Sequence, residues 1–193
     1  MKKMMMTMAA ALMAVAMNAQ TNMYVGGSLG YSTSSYDGST LNTKFSLIPE
    51  FGVQFNENMG VGVELGYSSN KNEANDPTVT KSTFTFAPYF RYTAIKMGKL
   101  SFFGDGKFAY QTSKNEYKSN SGNTTDDTTN AWGIYVQPGM AYSLNDNFSL
   151  VAKFGNVLGY TSSKPDVSGA KATTTFQFLN LSNNISFGFY YNF

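Results

Sequence analysis

From Met23 to Phe193 the apolar residues recur at every second position, and no segment carries the 3.6-residue stripe of an amphipathic helix. Successive side chains of a strand point to opposite faces. Period two therefore commits the chain to strands with two chemically distinct faces. Eight segments carry it: residues 23–33, 41–56, 59–69, 82–95, 100–113, 131–144, 148–161 and 173–193. Their connections alternate in length. Asn56-Glu57-Asn58, residues 96–99 with Gly98 inside, and Asn145-Asp146-Asn147 are short, and such residues tolerate positive φ or bond their own backbone. Residues 34–40, 70–81, 114–130 and 162–172 are longer and rich in Ser, Thr, Asn, Asp, Lys and Gly. Tight turns at one end and long loops at the other describe an antiparallel up-and-down sheet. Starting and ending on the tight-turn side requires an even number of strands.

The two faces differ sharply. One carries Met59, Val61, Val63, Leu65 and Tyr67 on the third segment, and Ile185, Phe187, Phe189, Tyr191 and Phe193 on the last. Over all eight segments this face holds no charge, and Asn156 is its only amide. The other face is small and polar, with Ser28, Gly52, Thr85, Gln137, Gly155 and Ser186 as examples. A soluble barrel turns its apolar face inward. Here that face holds roughly forty large side chains, more than the inside of eight strands accommodates. The inverse arrangement fits, with the bulky face against lipid and the small face lining a narrow lumen. Only 13% of residues are charged, about half the usual share of a soluble domain. Aromatics collect at both segment ends, Tyr31, Tyr67, Tyr110, Trp132 and Tyr160 near the long loops and Phe55, Tyr142, Phe148 and Tyr191 near the tight turns. From Trp132 to Tyr142 a tilted strand spans about 25 Å, the height of an outer-membrane apolar band. The expected fold is all-β, an eight-stranded antiparallel up-and-down transmembrane β-barrel, with outer-membrane lipid as its surroundings.

The N-terminus reads as an export leader. Lys2 and Lys3 precede an apolar run, residues 4–17, that is too short to span a bilayer. Cleavage after Ala19 or after the triplet Ala14-Val15-Ala16 fits. Cutting at the first divides the chain into a signal peptide, residues 1–19, and a barrel, residues 20–193. The expected location is the outer membrane of a Gram-negative bacterium. The chain has 14 Lys+Arg and 12 Asp+Glu, and losing Lys2 and Lys3 balances them. A neutral chain offers no electrostatic reason to bind nucleic acid. There is no Cys and no His, which removes thiolate ligands and the commonest general base and metal ligand. No enzyme activity, cofactor or metal site is expected.

The small face still carries charge: Glu50, Glu64 and Asp105 against Arg91, Lys107 and Lys153. Confined charges must pair to offset lost solvation. A structural ion-pair network is the leading reading, a polar path for solutes the second and a catalytic acid pair the third. Asp126-Asp127 among Thr and Asn is a solvated loop before it is a calcium site. Gly60-Val61-Gly62-Val63-Glu64-Leu65-Gly66 has the wrong spacing for a nucleotide loop, and a strand continues where a helix should begin. Pro49, Pro88 and Pro138 occupy similar places on the second, fourth and sixth segments; proline is unusual inside paired strands and often marks a bulge, and the sequence gives no reason for the repetition. Phe176 and Phe178 have the opposite parity to Ile185 and Phe187, so a bulge or strand end is expected near residues 180–184.

The chain resembles the small eight-stranded outer-membrane barrels, the family of OmpX, the OmpA membrane domain and the OmpW-like porins. The most specific point is the terminal stretch Ile185-Ser186-Phe187-Gly188-Phe189-Tyr190-Tyr191-Asn192-Phe193. Its alternating aromatics Phe187, Phe189, Tyr191 and Phe193 are similar to the signal read by the barrel-assembly machinery. The Asn18-Ala19-Gln20 junction is similar to that of exported Bacteroidota proteins. The resemblance implies a structural or surface-interaction protein whose four outer loops meet an extracellular ligand or host surface. It also leaves open a narrow porin-like channel for ions or small, including hydrophobic, solutes.

Overall fold

The alternation produces antiparallel ladders throughout. In the computed structural model the described residues are 22–36, 39–73, 77–119, 124–167, 169–180 and 185–193; the expected leader lies outside them. Ten strand segments follow in order: β1 (Asn22–Tyr36), β2 (Ser39–Gln54), β3 (Met59–Asn72), β4 (Thr78–Met97), β5 (Leu100–Lys118), β6 (Thr124–Ser143), β7 (Phe148–Lys153), β8 (Leu158–Pro165), β9 (Thr173–Phe178) and β10 (Ser186–Asn192). They make eight staves, because β7 and β8 share the seventh and β9 and β10 the eighth. Sequential neighbours pair from β1 to β6, β6 pairs with β7, β7 with β10, and β10 returns to β1 to close the barrel.

Two expectations change in detail. Among the described residues, three of the stretches read as long loops, 34–40, 70–81 and 114–130, are largely strand, while 162–172 is strand only as far as Pro165. The β5–β6 ladder continues from Tyr110↔Trp132 up to Lys118↔Thr124, and β3 pairs with β4 as far as Asn72↔Val79. Threonine-rich polar sequence pairs well once both faces are wet, so the strands run on past the lipid. The seventh segment is interrupted where a continuous strand is expected. Between Gly139↔Lys153 and Val136↔Leu158, residues 154–157 face only Gln137 and Pro138 of β6. Pro138 has no N–H to donate there, and its carbonyl accepts from Phe154 N at 3.0 Å. The eighth segment divides as its parity change requires. β9 ends before Leu179, whose φ of +52° is the only positive one at a non-glycine among the described residues.

The prolines share a physical cause. Ile48 and Pro49 drop out of the β2–β3 ladder, Ala87 and Pro88 out of the β4–β5 ladder, and Pro138 sits in the gap between β7 and β8. Each stands where the ladder lapses for two residues on one side.

The faces point as expected. Leu65, Phe84, Phe90, Ile134 and Leu150 are exposed to the surroundings, while Tyr24, Glu50, Tyr89, Arg91, Phe103 and Asp105 are buried. Val53 is an exception, outward in register yet fully buried. Aromatic clusters mark both rims: Trp132 against Phe108 and Tyr160 near the loops, Phe148, Tyr191 and Phe193 near the turns. The tight turns use side-chain acceptors as their composition suggests. Asn56 Oδ1 accepts from the N–H groups of Asn58 and Met59, and Asn145 Oδ1 from those of Asn147 and Phe148.

Candidate functional site: a lumen divided between plug and cup

All six lumen charges converge in the tight-turn half. Glu64, Asp105 and Lys153 each lie five positions into β3, β5 and β7. Glu50 and Glu64 are direct cross-strand partners, a like-charge pair that is unfavourable alone. Lys153 reaches across the barrel and donates to both, to Glu50 Oε2 at 2.6 Å and to Glu64 Oε1. Arg91 is the second bridge. It grips Asp105 with two parallel bonds, Nε to Oδ1 at 2.7 Å and Nη2 to Oδ2 at 2.8 Å, and gives a third to Glu50 Oε1 at 3.0 Å. Lys107 donates to Glu64 Oε1 and to Gln137 Oε1. Gln137 in turn donates to the Phe154 carbonyl at 2.6 Å, the group freed where the seventh stave breaks.

A ring of aromatics completes this layer. Tyr89 and Tyr190 donate their hydroxyls to Glu50 Oε1, and Tyr24 shares a 2.6 Å bond with Tyr89. The Arg91 guanidinium lies 3.9 Å from the Phe103 ring centroid and within 5.3 Å of those of Tyr24, Tyr89 and Tyr190. Among the described residues no buried side-chain polar atom lacks a partner. Asp105 is fully buried, yet it has Arg91 and, at 3.6 Å, Lys153. Every stave contributes at least one member of this layer.

The rings fit because glycines face them. Tyr24 pairs across with Gly52, Tyr89 with Gly62, Phe103 with Gly139 and Tyr190 with Gly26. A Cβ on Gly52 would lie 2.2 Å from Tyr24 Cζ, and one on Gly139 would lie 2.4 Å from Phe103 Cζ. The polar reading of the inner face overlooked Tyr24, Phe103 and Tyr190. Their inward parity was the available signal. Three carboxylates, Glu50, Glu64 and Asp105, converge closely enough to hold a cation. Their oxygens are already taken by Arg91, Lys107 and Lys153, so the cluster is charge-balanced without one.

The loop half differs. Above Glu64, Lys107 and Gln137 the lumen opens into a cavity of about 770 Å³. Above its floor the walls carry uncharged polar groups, Thr85, Gln111, Tyr135, Asn156, Thr161 and Gln177 among them, interleaved with apolar Leu29, Ile48, Ala87, Ala109, Ile185 and Phe187. The lumen thus has an ion-paired layer below, with a small cavity of about 100 Å³ beside Glu50, Lys153 and Tyr190, and a wide cup above.

A closed antiparallel barrel of eight staves, apolar outside and ionic within, defines an outer-membrane β-barrel protein. The chain belongs to the family described as outer membrane protein beta-barrel domain, whose model matches residues 4–193. Solved structures share the fold at low identity. A major outer membrane protein from Thermus thermophilus is 12% identical with a TM-score of 0.59, over 90% of this chain and 100% of that one. Ail, the attachment invasion locus protein of Yersinia pestis, solved with the heparin analogue sucrose octasulfate, is 13% identical with a TM-score of 0.51, over 90% and 98%. No curated protein matches the chain.

Proposed function

We propose that this protein is a non-conducting outer-membrane anchor that presents its outer hairpins to the cell's surroundings. The supporting observation is the plug. Ions crossing the barrel would have to break the buried Arg91–Asp105 pair, between neighbouring strands, and the buried Lys153–Glu50 pair, which reaches across the lumen. Leaving such charges unpaired costs several kcal/mol, far above thermal energy. The hairpins carry the contact role. β5 and β6 continue eight residues beyond the Tyr110↔Trp132 rung, roughly 20 Å for tilted strands. Terminal aromatics Phe187, Phe189, Tyr191 and Phe193 serve assembly in this reading, facing outward on the closing stave for the barrel-assembly machinery. Planar-bilayer recording of refolded protein tests the anchor reading. It expects no conductance above leak, and stable open-state currents in wild type would reject it in favour of the porin-like alternative.

A further inference from the structure

The plug spends its rings on filling the lumen, whereas the cup keeps one ring uncovered. Tyr135 points inward from β6, level with Lys107 on β5 and Gly159 on β8. Its side chain lies flat along the wall. A Cβ on Gly133 would sit 2.5 Å from the Tyr135 hydroxyl, and one on Gly159 would sit 3.2 Å from its Cδ1. Both glycines let the ring lie that close, as Gly52 and Gly62 do for Tyr24 and Tyr89. The hydroxyl is fixed by Thr161 Oγ1 at 2.9 Å. In the plug the corresponding rings turn their other faces to the Arg91 guanidinium. The inner face of Tyr135 looks onto the cup instead.

Small residues on the far wall leave the space in front of that ring. β1, β2 and β3 lie across the closed barrel from β6 and β8, and they bring Ser28, Gly30, Ser46 and Gly66 to the cup. Thr85 and Gln111 are cross-strand partners on β4 and β5, and Gln177 on β9 pairs across with Gly159 behind the ring. Among the described residues the side chains of Thr85, Gln111 and Gln177 have no hydrogen-bond partner, and none of their polar atoms is sealed from water.

We propose that the cup is a binding site for an uncharged mono- or disaccharide, entered from the loop end and stacked on Tyr135. The ring supplies a platform with a negative face, which attracts the C–H groups on the flat side of a sugar. Sugar hydroxyls both donate and accept, and so do the free glutamine amides and the threonine hydroxyl around the platform. Charge is not called for. Glu64 and Lys107 at the floor satisfy each other, so a charged ligand would give up its hydration without gaining a counter-ion. A cavity of about 770 Å³ is of small-molecule size. The plug lies behind the site, so the cup holds its ligand on the outer side. The proposal goes beyond the anchor role and does not depend on it, because the platform stands whether or not the barrel conducts.

The test is a titration followed by NMR on refolded full chain in lipid nanodiscs, with alanine methyls labelled with carbon-13. Ala87 and Ala109 line the cup, whereas Ala141 and Ala152 do not. The probes are the methyl glycosides of glucose, galactose, mannose and N-acetylglucosamine, together with maltose and lactose. At least one should shift the Ala87 and Ala109 methyls saturably, with a Kd on the order of 1 mM or tighter, and leave Ala141 and Ala152 in place. Glucose 6-phosphate should bind about tenfold or more weakly than the best neutral sugar. Tyr135→Ala should weaken that sugar about tenfold or more, the loss expected of one aromatic anchor, and Tyr135→Phe, which keeps the ring, should restore it to within about threefold. Heat-modifiable gel mobility reports whether Tyr135→Ala has folded. If it has not, Gln111→Leu takes its place, with weakened sugar binding again expected. Methyls that no sugar shifts, full sugar affinity in the folded variant, equal binding of glucose 6-phosphate, or adenosine binding more tightly than every sugar overturns the saccharide site.

Discussion

The two halves of this barrel are built from the same eight staves yet solve opposite problems. In the turn half, rings and ion pairs fill the lumen, and β1 and β10 close on each other through Gly26, Gly27 and Gly188, where a Cβ on Gly188 would fall 2.1 Å from the Gly27 carbonyl oxygen. In the loop half, neutral side chains leave a cup and the closing ladder lapses. Backbone pairing alone therefore does not hold a narrow barrel shut. Where side chains reach across the lumen and tie opposite walls, the last seam closes. Where they do not, the ladder between described residues of β1 and β10 ends, at Ser28↔Gly188. Lys153, on β7, binds acids on β2 and β3, and Arg91, on β4, reaches Tyr190 on β10 at 3.0 Å. These are transverse ties that no ladder supplies.

The strongest way to break the contrast is to cut a tie. Lys153→Ala leaves Glu50 to Arg91 and Glu64 to Lys107, with three acids facing only two bases in the layer. Urea unfolding in vesicles should show a loss of about 3–5 kcal/mol. A loss under about 1 kcal/mol would mean that the plug fills space without holding the walls. Next comes the wall itself, which both halves share. Val63→Arg puts a charge on the lipid face beside Phe51 and Pro88 and should cost about 2–4 kcal/mol in the same assay. A neutral result there would reverse the assignment of the faces.

Packing separates the halves more finely. Gly52→Val drives a side chain into the Tyr24 ring and should cost about 1–3 kcal/mol, by the usual penalty for overfilling a tight interior. Gln177→Leu at the edge of the cup should change stability by less than about 0.5 kcal/mol, because it has open space beside it. Equal effects at the two positions would show the cup to be as tightly filled as the plug.

Much of this was legible in the sequence, for definite reasons. Parity alone separates Val63 and Phe187 from Glu64 and Gly188, because a strand offers only two directions. The same parity places six charges on one face, but not which acid meets which base. That depends on the barrel's register, and Glu50 and Tyr190 are far apart in the chain. Phe103 and Tyr190 carry inward parity too, but their rings do not stand out on a face defined by small and polar residues. The break at Phe154 was obscured by an apolar pattern that continues across it, while Pro138, which stands opposite, was noticed without its consequence. The end of the β1–β10 ladder at Ser28↔Gly188 left no trace in any single segment, since it is a property of two strands together. The outer hairpins looked like loops because polar, threonine-rich sequence is shared by loops and by strands wet on both faces.

The smallest expected effect lies outside the lipid, where charges are cheap to hydrate. Lys114 and Asp126 pair at the exposed flank of the β5–β6 hairpin. A hydrogen bond and attraction from Lys114 lower the Asp126 carboxyl below its ordinary range, and the same contact raises Lys114. The Asp126 contribution is therefore present above its unfolded-state value and lost as pH falls through the lowered folded one. The Lys114 contribution is present below its unfolded value and lost as pH rises through the raised folded one. At neutral pH both are in place, yet full exposure and salt screening leave little for global stability to sense. Lys114→Ala should leave urea unfolding unchanged, unlike Lys153→Ala. It should also move the Asp126 titration midpoint, followed by carboxyl carbon chemical shift, upward to the ordinary aspartate range. A wild-type midpoint already at the ordinary value would dissolve this pair. Exposed and buried lysines would then differ not only in the strength of their ion pairs but in whether the outer one forms at all.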